Sequence, residues 1–261
     1  MTASDTAPLV LVTGGARGIG EACAALLGKR GWRVIVADIA DRAGEAVAER
    51  IGASFLHLDV TDEAALDAAA EQTAQNHGPV AGLVTSAGII QRPVPPEELS
   101  MEEWDRVVAV DQRGTYVTCL AFGRRMALEG AGSIVNIASV AGQRAMPLQA
   151  YNPAKAAVIA MTANLAVAWG SNGVRVNSIS PGFTLTPAIR DAIDKGERDV
   201  SLIEADTAMG RLVAPNEVAA GVAFLLSDDA SAITGIDLVV DCGWMAAASR
   251  STYGRAAYET D

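Results

Sequence analysis

Tyr151 and Lys155 stand four residues apart at the end of the stretch IVNIASVAGQRAMPLQAYNPAK, residues 134–155. On a helix that spacing places phenol and ammonium on one face. A neighbouring cation stabilises phenolate, so a tyrosine with an ordinary pKa of about 10 can trade protons nearer neutrality. Ser139 closes an apolar, strand-like run over residues 133–138. Its hydroxyl can hold an alcohol or carbonyl oxygen against the phenol. A loop carrying Gly142 and Pro147 separates the two. Taken alone, Tyr-x-x-x-Lys also reads as an ordinary turn of amphipathic helix, so the elements that position it must decide.

Those elements alternate. LVLVT, residues 9–13, is a continuous apolar run of the kind buried on both faces of a parallel sheet. Gly14, Arg17, Gly18, Ile19 and Gly20 follow, then helical sequence over residues 21–30. In that setting Gly14 permits a tight turn, Gly18 lets backbone approach a pyrophosphate, and Gly20 allows helix to pack closely on strand. The helix N-terminus supplies free amides to the anion. A second strand, RVIVA, ends at Asp38, about 20 residues past the glycines as dinucleotide sites have it. An acid there accepts from adenosine ribose hydroxyls and repels a 2′-phosphate, which favours NAD over NADP. Its alternative reading is a cap for the helix beginning near Asp41, and Arg17 is the residue that suits a 2′-phosphate.

Further strands are expected over residues 54–58, closed by Asp59 and Val60, and over 80–85, followed by the small-residue turn Ser86-Ala87-Gly88 that can lie close to adenosine. The proline-rich segment IIQRPVPPEEL follows. Ser100 to Glu103 reads as a capping box opening one long helix over residues 100–128. Strands over residues 174–179 and 236–240 and a helix over 215–226 complete the pattern. Residues 183–211 have no strong period and read as a lid. Strands alternating with helices imply an α/β fold: a doubly wound parallel sheet, Rossmann-like, in a single domain over residues 1–261 with extensions at 1–8 and about 246–261.

The 261 residues carry a formal charge of −11, which argues against nucleic acid or an anionic membrane as partner. No transmembrane stretch or leader is visible, and Cys23, Cys119 and Cys242 read as buried free thiols in a reducing, cytoplasmic compartment. His57 and His77 lack paired-ligand spacing, so no metal is expected.

The chain resembles the short-chain dehydrogenase/reductase family, in its single-domain branch, over residues 9–243. Thr13-Gly14-x-x-x-Gly18-Ile19-Gly20 matches the cofactor loop, and Asp59 the acid near adenine. Ser139, Tyr151 and Lys155 match the catalytic residues. Pro181 and Gly182, with Thr184 and Thr186 beyond them, match the loop that meets the nicotinamide end. Two departures stand out: Thr85-Ser86-Ala87-Gly88 replaces the usual Asn-Asn-Ala-Gly, and Asp111 replaces the family's fourth catalytic residue, Asn. In the family that Asn places a water through its backbone carbonyl. Asp keeps the carbonyl and adds a negative charge near Lys155.

The resemblance implies hydride transfer between NAD(H) and a small secondary alcohol, polyol or sugar. Tyr151 moves the proton, Ser139 orients the oxygen, and Lys155 tunes the phenol and binds the nicotinamide ribose. Alternatives are an NADPH-dependent reductase of acyl-carrier substrates, supported by Arg17 and the pair Arg124-Arg125, and a catalytically silent dinucleotide-binding protein, motivated by Asp111. A pocket bounded by residues 89–94, 141–148 and the lid offers Gln143, Arg144 and Gln149 as polar groups, with Met146, Leu148, Phe183 and Trp244 as apolar ones. The family implies a homotetramer. The helix over 151–170 supports it, with Ala156, Val158, Ile159, Met161, Leu165 and Val167 covering more than one face. The tail over 241–261, with Trp244, Met245, Tyr253 and Tyr258, either frays or reaches a neighbouring subunit.

Overall fold

The structure, a computed structural model, describes residues 7–197 and 199–249. The apolar runs form strands β1 (Leu9–Thr13), β2 (Arg33–Asp38), β3 (Ser54–His57), β4 (Val80–Thr85), β5 (Gly132–Ile137), β6 (Val174–Pro181) and β7 (Asp237–Val240). They pair in parallel in the order β3-β2-β1-β4-β5-β6-β7. The crossovers contain α1 (Gly18–Lys29), α2 (Asp41–Ile51), α3 (Glu63–His77), α4 (Met101–Val107), α5 (Thr115–Glu129), α6 (Tyr151–Trp169), α7 (Pro187–Asp194), α8 (Ser201–Asp206) and α9 (Pro215–Leu226).

All of β1 is buried because helices cover both faces of the sheet. Val10 and Val12 pack with Cys23 and Leu27 of α1, Val47 of α2 and Val222 of α9. The alternate residues Leu9 and Leu11 pack with Leu66 of α3, Phe122 of α5 and Leu165 of α6. The expected doubly wound α/β sheet is present. No described helix is long and apolar enough to cross a membrane.

Several boundaries differ from expectation. α1 begins at Gly18, inside the glycine loop, because the third glycine sits within the first turn. The long helix over 100–128 is broken by a π-helical segment, Val108–Gly114, which separates α4 from α5 and contains Asp111. Hydropathy periodicity reads that insertion poorly, since one extra residue per turn leaves both flanks helical. The capping box is half made. Ser100 Oγ accepts from Glu103 N at 3.1 Å, but the Glu103 carboxylate turns to Arg92 N at 3.3 Å. The lid segment contains α7 and α8. Thr186 caps α7 with Pro187 in its first turn, an arrangement that starts a helix without help from apolar period.

Cys23 and Cys119 are buried thiols, both pushed up to about 12 by burial. Cys242 is instead half-exposed and adopts φ +53. His57 lies in β3, but its ring is exposed and meets Asp41 Oδ1 at 2.6 Å.

Gly20 is the tightest point of the cofactor loop: a Cβ there would overlap the Gly14 carbonyl. Backbone cannot give way as a flexible side chain can. Gly20→Ala should therefore cost about 1–3 kcal/mol of stability, measured by denaturant unfolding. An unchanged midpoint would contradict the packing role.

Candidate active site

The carboxyl ends of β1, β4, β5 and β6 carry the loops that hold most of the residues singled out above. Open α/β sheets bind ligands at this edge, where the strand order reverses, and here the reversal lies between β1 and β4. Thr13 Oγ1 accepts from the amides of Ser86 and Ala87 at 3.1 and 3.3 Å, drawing the loops after β1 and β4 together. Gly14, at φ +64, lies so close that a Cβ would sit 2.7 Å from Ala87 Cα. Gly18, at φ +61, faces outward, and within 4 Å its Cβ would meet only Thr186 Cγ2, at 3.7 Å. The glycine loop and the loop after β6 thus lie next to each other. Arg17 is exposed and caps α1 without a side-chain bond, leaving first-turn amides at Gly18, Ile19 and Gly20 for an anion. Glycine backbone, an open face and a helix N-terminus fit a dinucleotide pyrophosphate.

Asp38 is 7% exposed. Its Oδ2 accepts from Ala16 N at 3.1 Å and its Oδ1 from Ala40 N at 3.0 Å. The carboxylate therefore ties the glycine loop to β2 and also takes up an amide at the entrance to α2. The helix-cap reading is not met, since Ala40 is the cap position of α2 and Asp38 takes only its amide. Asp59 is exposed and accepts from Thr61 N and Oγ1 at 2.9 and 2.8 Å, while Val60 is buried against Gly114. Ser86 and Ala87 are half-buried and Gly88 is exposed. Pro181 ends β6, Gly182 presses on Asp241, Thr184 Oγ1 donates to Gly182 O at 3.0 Å, and Thr186 caps α7.

The phenol, ammonium and carboxylate come together beside Gly88, whose Cβ would lie 3.2 Å from Asp111 Oδ2 and 3.5 Å from Lys155 Nζ. Ser139 Oγ accepts from Ala141 N at 3.1 Å, and its hydroxyl acts to lower the pKa of the Tyr151 phenol. Lys155 Nζ lies 5.5 Å from the Tyr151 ring centroid and donates to Ile137 O at 3.1 Å. It also meets Asp111 Oδ2 at 3.2 Å, with the two side chains only 5% and 0% exposed. Asp111 Oδ1 accepts from Ile89 N at 2.8 Å, and its backbone carbonyl accepts from Thr115 Oγ1 at 2.8 Å.

Burial pushes the Tyr151 phenol up, Lys155 pulls it back, and Asp111 pushes it further up. For Lys155 burial acts downward, yet Asp111 and Tyr151 together hold it above the ordinary lysine range. Asp111 is itself raised by burial against the pull of Lys155. The two directions disagree about the pair's charge. The contact geometry favours the ionised form, because Oδ1 takes an amide and Oδ2 faces the ammonium, and neither position suits a carboxyl proton.

The substrate side differs in part from expectation. Gln143 Nε2 donates to Asp237 Oδ2 at 2.6 Å, so its amide is spent on β7. Phe183 and Trp244 meet edge to face at 5.5 Å, giving the start of the tail a partner within its own chain. Tyr253 and Tyr258 lie outside the described residues. Arg125 lines a cavity of about 160 Å³ with Pro79 and Val80, at the opposite edge of the sheet. Two groups at the site were missed from sequence. Thr13 was visible only as part of the glycine motif. Gln91 is 2% exposed and accepts from Ala150 N and Tyr151 N, with no local pattern to mark it.

A dinucleotide cradle beside a phenol with a buried cation defines a nicotinamide-dependent oxidoreductase acting on a carbon–oxygen centre. Residues 14–245 match the family model described as enoyl-(acyl carrier protein) reductase. D-threitol dehydrogenase of Mycolicibacterium smegmatis is 40% identical over 244 residues, covering 90% of this chain and 92% of that protein. Galactitol 2-dehydrogenase of Rhizobium johnstonii is 38% identical over 241 residues, covering 90% and 93%. A crystal structure described as ribose-5-phosphate isomerase from Brucella melitensis superposes with a TM-score of 0.92 at 48% identity, covering 95% of this chain and 96% of that one. The chain belongs to the short-chain dehydrogenase/reductase family. It is an enzyme that transfers hydride between a nicotinamide dinucleotide and a carbon bearing a hydroxyl or carbonyl oxygen.

Replacing Asp111 by Asn tests the charge in the site. Removing the anion takes away an influence that raises the Tyr151 pKa, so phenolate forms at lower pH. Alcohol oxidation needs phenolate, and the acid limb of its rate profile should move to lower pH in Asp111→Asn. An unmoved profile at unchanged rate would leave the charge without a catalytic role.

Proposed function

We propose that this enzyme interconverts a small secondary alcohol or polyol and its ketone with NAD(H), within one domain that holds both cofactor and catalytic groups. The observation that carries this reading is the buried Lys155 beside Tyr151 and Ser139, next to Gly88 of the loop after β4. Gly14, Gly18, Ile19, Gly20 and the amides of α1 would hold the pyrophosphate, with Arg17 at the rim. Asp38 would hold the adenosine ribose, and Asp59, Val60, Ser86, Ala87 and Gly88 would border the adenosine. Pro181, Gly182, Thr184 and Thr186 would meet the nicotinamide end. When bound, the nicotinamide supplies the hydride chemistry.

The chain's own groups manage the oxygen and its proton. Ser139 holds the substrate oxygen against the phenol. Tyr151 accepts the hydroxyl proton during oxidation and returns it during reduction. Lys155 favours phenolate, and its remaining donor is available to the nicotinamide ribose. Asp111 keeps Lys155 charged.

One observation supports NAD. Asp38 is fixed by two amides, so an added 2′-phosphate would meet a carboxylate that cannot swing away. Arg17 is the exposed counterweight. Of the residues that favour an NADPH-dependent acyl-carrier reductase, Arg125 lies at the far edge of the sheet, which leaves Arg17 and Arg124 as its support. The polyol assignment follows D-threitol and galactitol dehydrogenases, and the Phe183–Trp244 pair supplies an apolar wall for a small carbon skeleton. The free thiols suit the cytoplasm.

Dissociation constants for NADH and NADPH, followed by a panel of polyols, cyclic alcohols and D-ribose 5-phosphate, test the reading. NADH should bind at least about ten-fold more tightly, and Asp38→Ala should narrow the gap while weakening both by freeing Ala16 and Ala40. Tyr151→Phe should cost about 100-fold or more in turnover with cofactor binding intact. NADP preference would sink the cofactor assignment. Ribose 5-phosphate isomerised without cofactor would favour the activity named for the Brucella structure.

Assembly as a homotetramer is proposed from the faces left open on α5 and α6. Leu128 is 87% and Val167 85% exposed, and Tyr116 at the start of α5 is exposed as well. Light scattering should give four chains per particle. A monomer would overturn this.

A further inference from the structure

We propose that Gln91 positions the reaction centre by capping the catalytic helix from the loop after β4, which sets where the Tyr151 phenol lies. This rests on Tyr151 being the proton-transferring group. Gln91 belongs to a stretch whose other members mostly face solvent: Ile90 is 68% exposed, and Arg92 and Pro93 are exposed as well. Gln91 itself is 2% exposed. Its Oε1 accepts from Ala150 N at 2.6 Å and from Tyr151 N at 3.1 Å.

The first turn of a helix leaves amides that its own carbonyls cannot satisfy. In α6 the account closes residue by residue. Ala150 occupies the cap position and offers no side-chain acceptor. Asn152 N donates to Leu148 O at 3.0 Å, Pro153 has no N–H, and Ala154 N donates to Ala150 O at 3.1 Å. The amides of Ala150 and Tyr151 remain, and one atom, Gln91 Oε1, takes both. They lie against an apolar cluster of Leu99, Val107, Ala150 and Ala154, with Ile89, Val94, Trp104 and Tyr151 packed on it. Without Gln91 the helix would have to shift to find other acceptors. The residue carrying one of these amides is Tyr151.

The same short stretch holds the other end of the site. Ile89 N donates to Asp111 Oδ1 at 2.8 Å, two residues before Gln91. Residues 89 to 91 therefore set the carboxylate with one amide and the phenol with one carbonyl. The charged groups acting on the phenol are Lys155, which favours phenolate, and Asp111, which opposes it, with the Ser139 hydroxyl also favouring phenolate. A neutral cap accepts both amides and leaves that balance alone, together with the positive end of the helix. A carboxylate in the same place would oppose phenolate.

Gln91→Met removes the acceptor at similar length, and Gln91→Glu keeps an acceptor and adds charge. In Gln91→Met, kcat should fall about ten-fold or more, with cofactor affinity and substrate KM little changed. Gln91→Glu should recover most of kcat at high pH, with the acid limb of oxidation displaced to higher pH. The ultraviolet titration of Tyr151, taken as the difference from Tyr151→Phe, should show the same displacement and needs no turnover. Gln91→Met keeping more than half of kcat, or parallel loss of kcat and cofactor affinity in both variants, would overturn the proposal. So would an unmoved tyrosine midpoint in Gln91→Glu. Tyr151→Phe separates the two ideas: activity retained there removes the proton-transfer reading itself, whereas an inactive Tyr151→Phe beside a fully active Gln91→Met removes only the positioning role.

Discussion

An ammonium with almost no access to water is the constraint around which this site is built. Lys155 is 4% exposed, and a lone buried cation is strongly unfavourable. Two contacts offset its burial: the Ile137 carbonyl at 3.1 Å and Asp111 Oδ2 at 3.2 Å. Each comes from a different element, the end of β5 and the π-helical segment before α5. The cation thus fixes α6 to the sheet and to the neighbouring helix at once. It also couples stability to chemistry, because removing either partner of a buried pair leaves an uncompensated charge costing about 3–5 kcal/mol. The π-helical segment follows from the same demand. Asp111 must turn one oxygen to Ile89 N and the other to Lys155, while its carbonyl accepts from Thr115 Oγ1 at 2.8 Å. A helix carrying an inserted residue offers that freedom where a regular one would stack it away.

Behind the cation, the sheet supplies rigidity without further charge. Asn136 is fully buried in β5, yet each of its polar atoms has a partner. Its Oδ1 accepts from Thr85 Oγ1 at 2.7 Å and from Cys119 Sγ at 3.2 Å, and its Nδ2 donates to Thr162 Oγ1 at 2.9 Å. Those bonds join β4, β5, α5 and α6, and Thr162 lies two turns past Lys155 on the same helix. A satisfied buried network of this kind specifies one arrangement of its elements, since any shift would strand a polar group in apolar surroundings. The catalytic helix is therefore held at its start by Gln91, near the first turn by Lys155, and farther along by Asn136.

How much of this was legible in the sequence depended on whether the signal was local. Unbroken apolar runs such as LVLVT are a direct consequence of burial on both faces, and they placed the strands within a residue or two. Glycines mark backbone needs that no other residue meets, so Gly14, Gly18 and Gly20 stood out before their geometry was known. Tyr151 and Lys155 share a turn. Contacts across the chain leave no such trace. Gln91 and Ala150 are 59 residues apart, and nothing near Gln91 distinguishes a buried cap from a solvated amide. Gln143 was equally opaque, since its partner Asp237 comes 94 residues later. Asp111 was conspicuous only against the family's usual Asn, and its geometry needed the π-helical segment that periodicity hides.

Charge bears on which oxygenated substrate this enzyme takes. At a formal −11, the protein disfavours anions at long range unless cations converge locally. Screening confines that field to about 8 Å at physiological ionic strength, so the groups near the site decide. Arg113, Arg211 and Lys195 each pair with a carboxylate, Glu63, Glu217 and Asp191. Lys155, the cation beside the phenol, is committed to Asp111 and Ile137. For the dinucleotide, backbone amides at the start of α1 substitute for missing cations, which a helix N-terminus can do and an acidic pocket cannot. A phosphorylated sugar would need a second such anchor on the substrate side, next to Phe183 and Trp244. A neutral polyol needs none: its hydroxyls ask only for hydrogen bonds, and its carbon skeleton for an apolar wall. Exposed Arg144, on the loop after β5, is the cation that a phosphate ester would have to recruit there, whereas a neutral polyol leaves it in solvent.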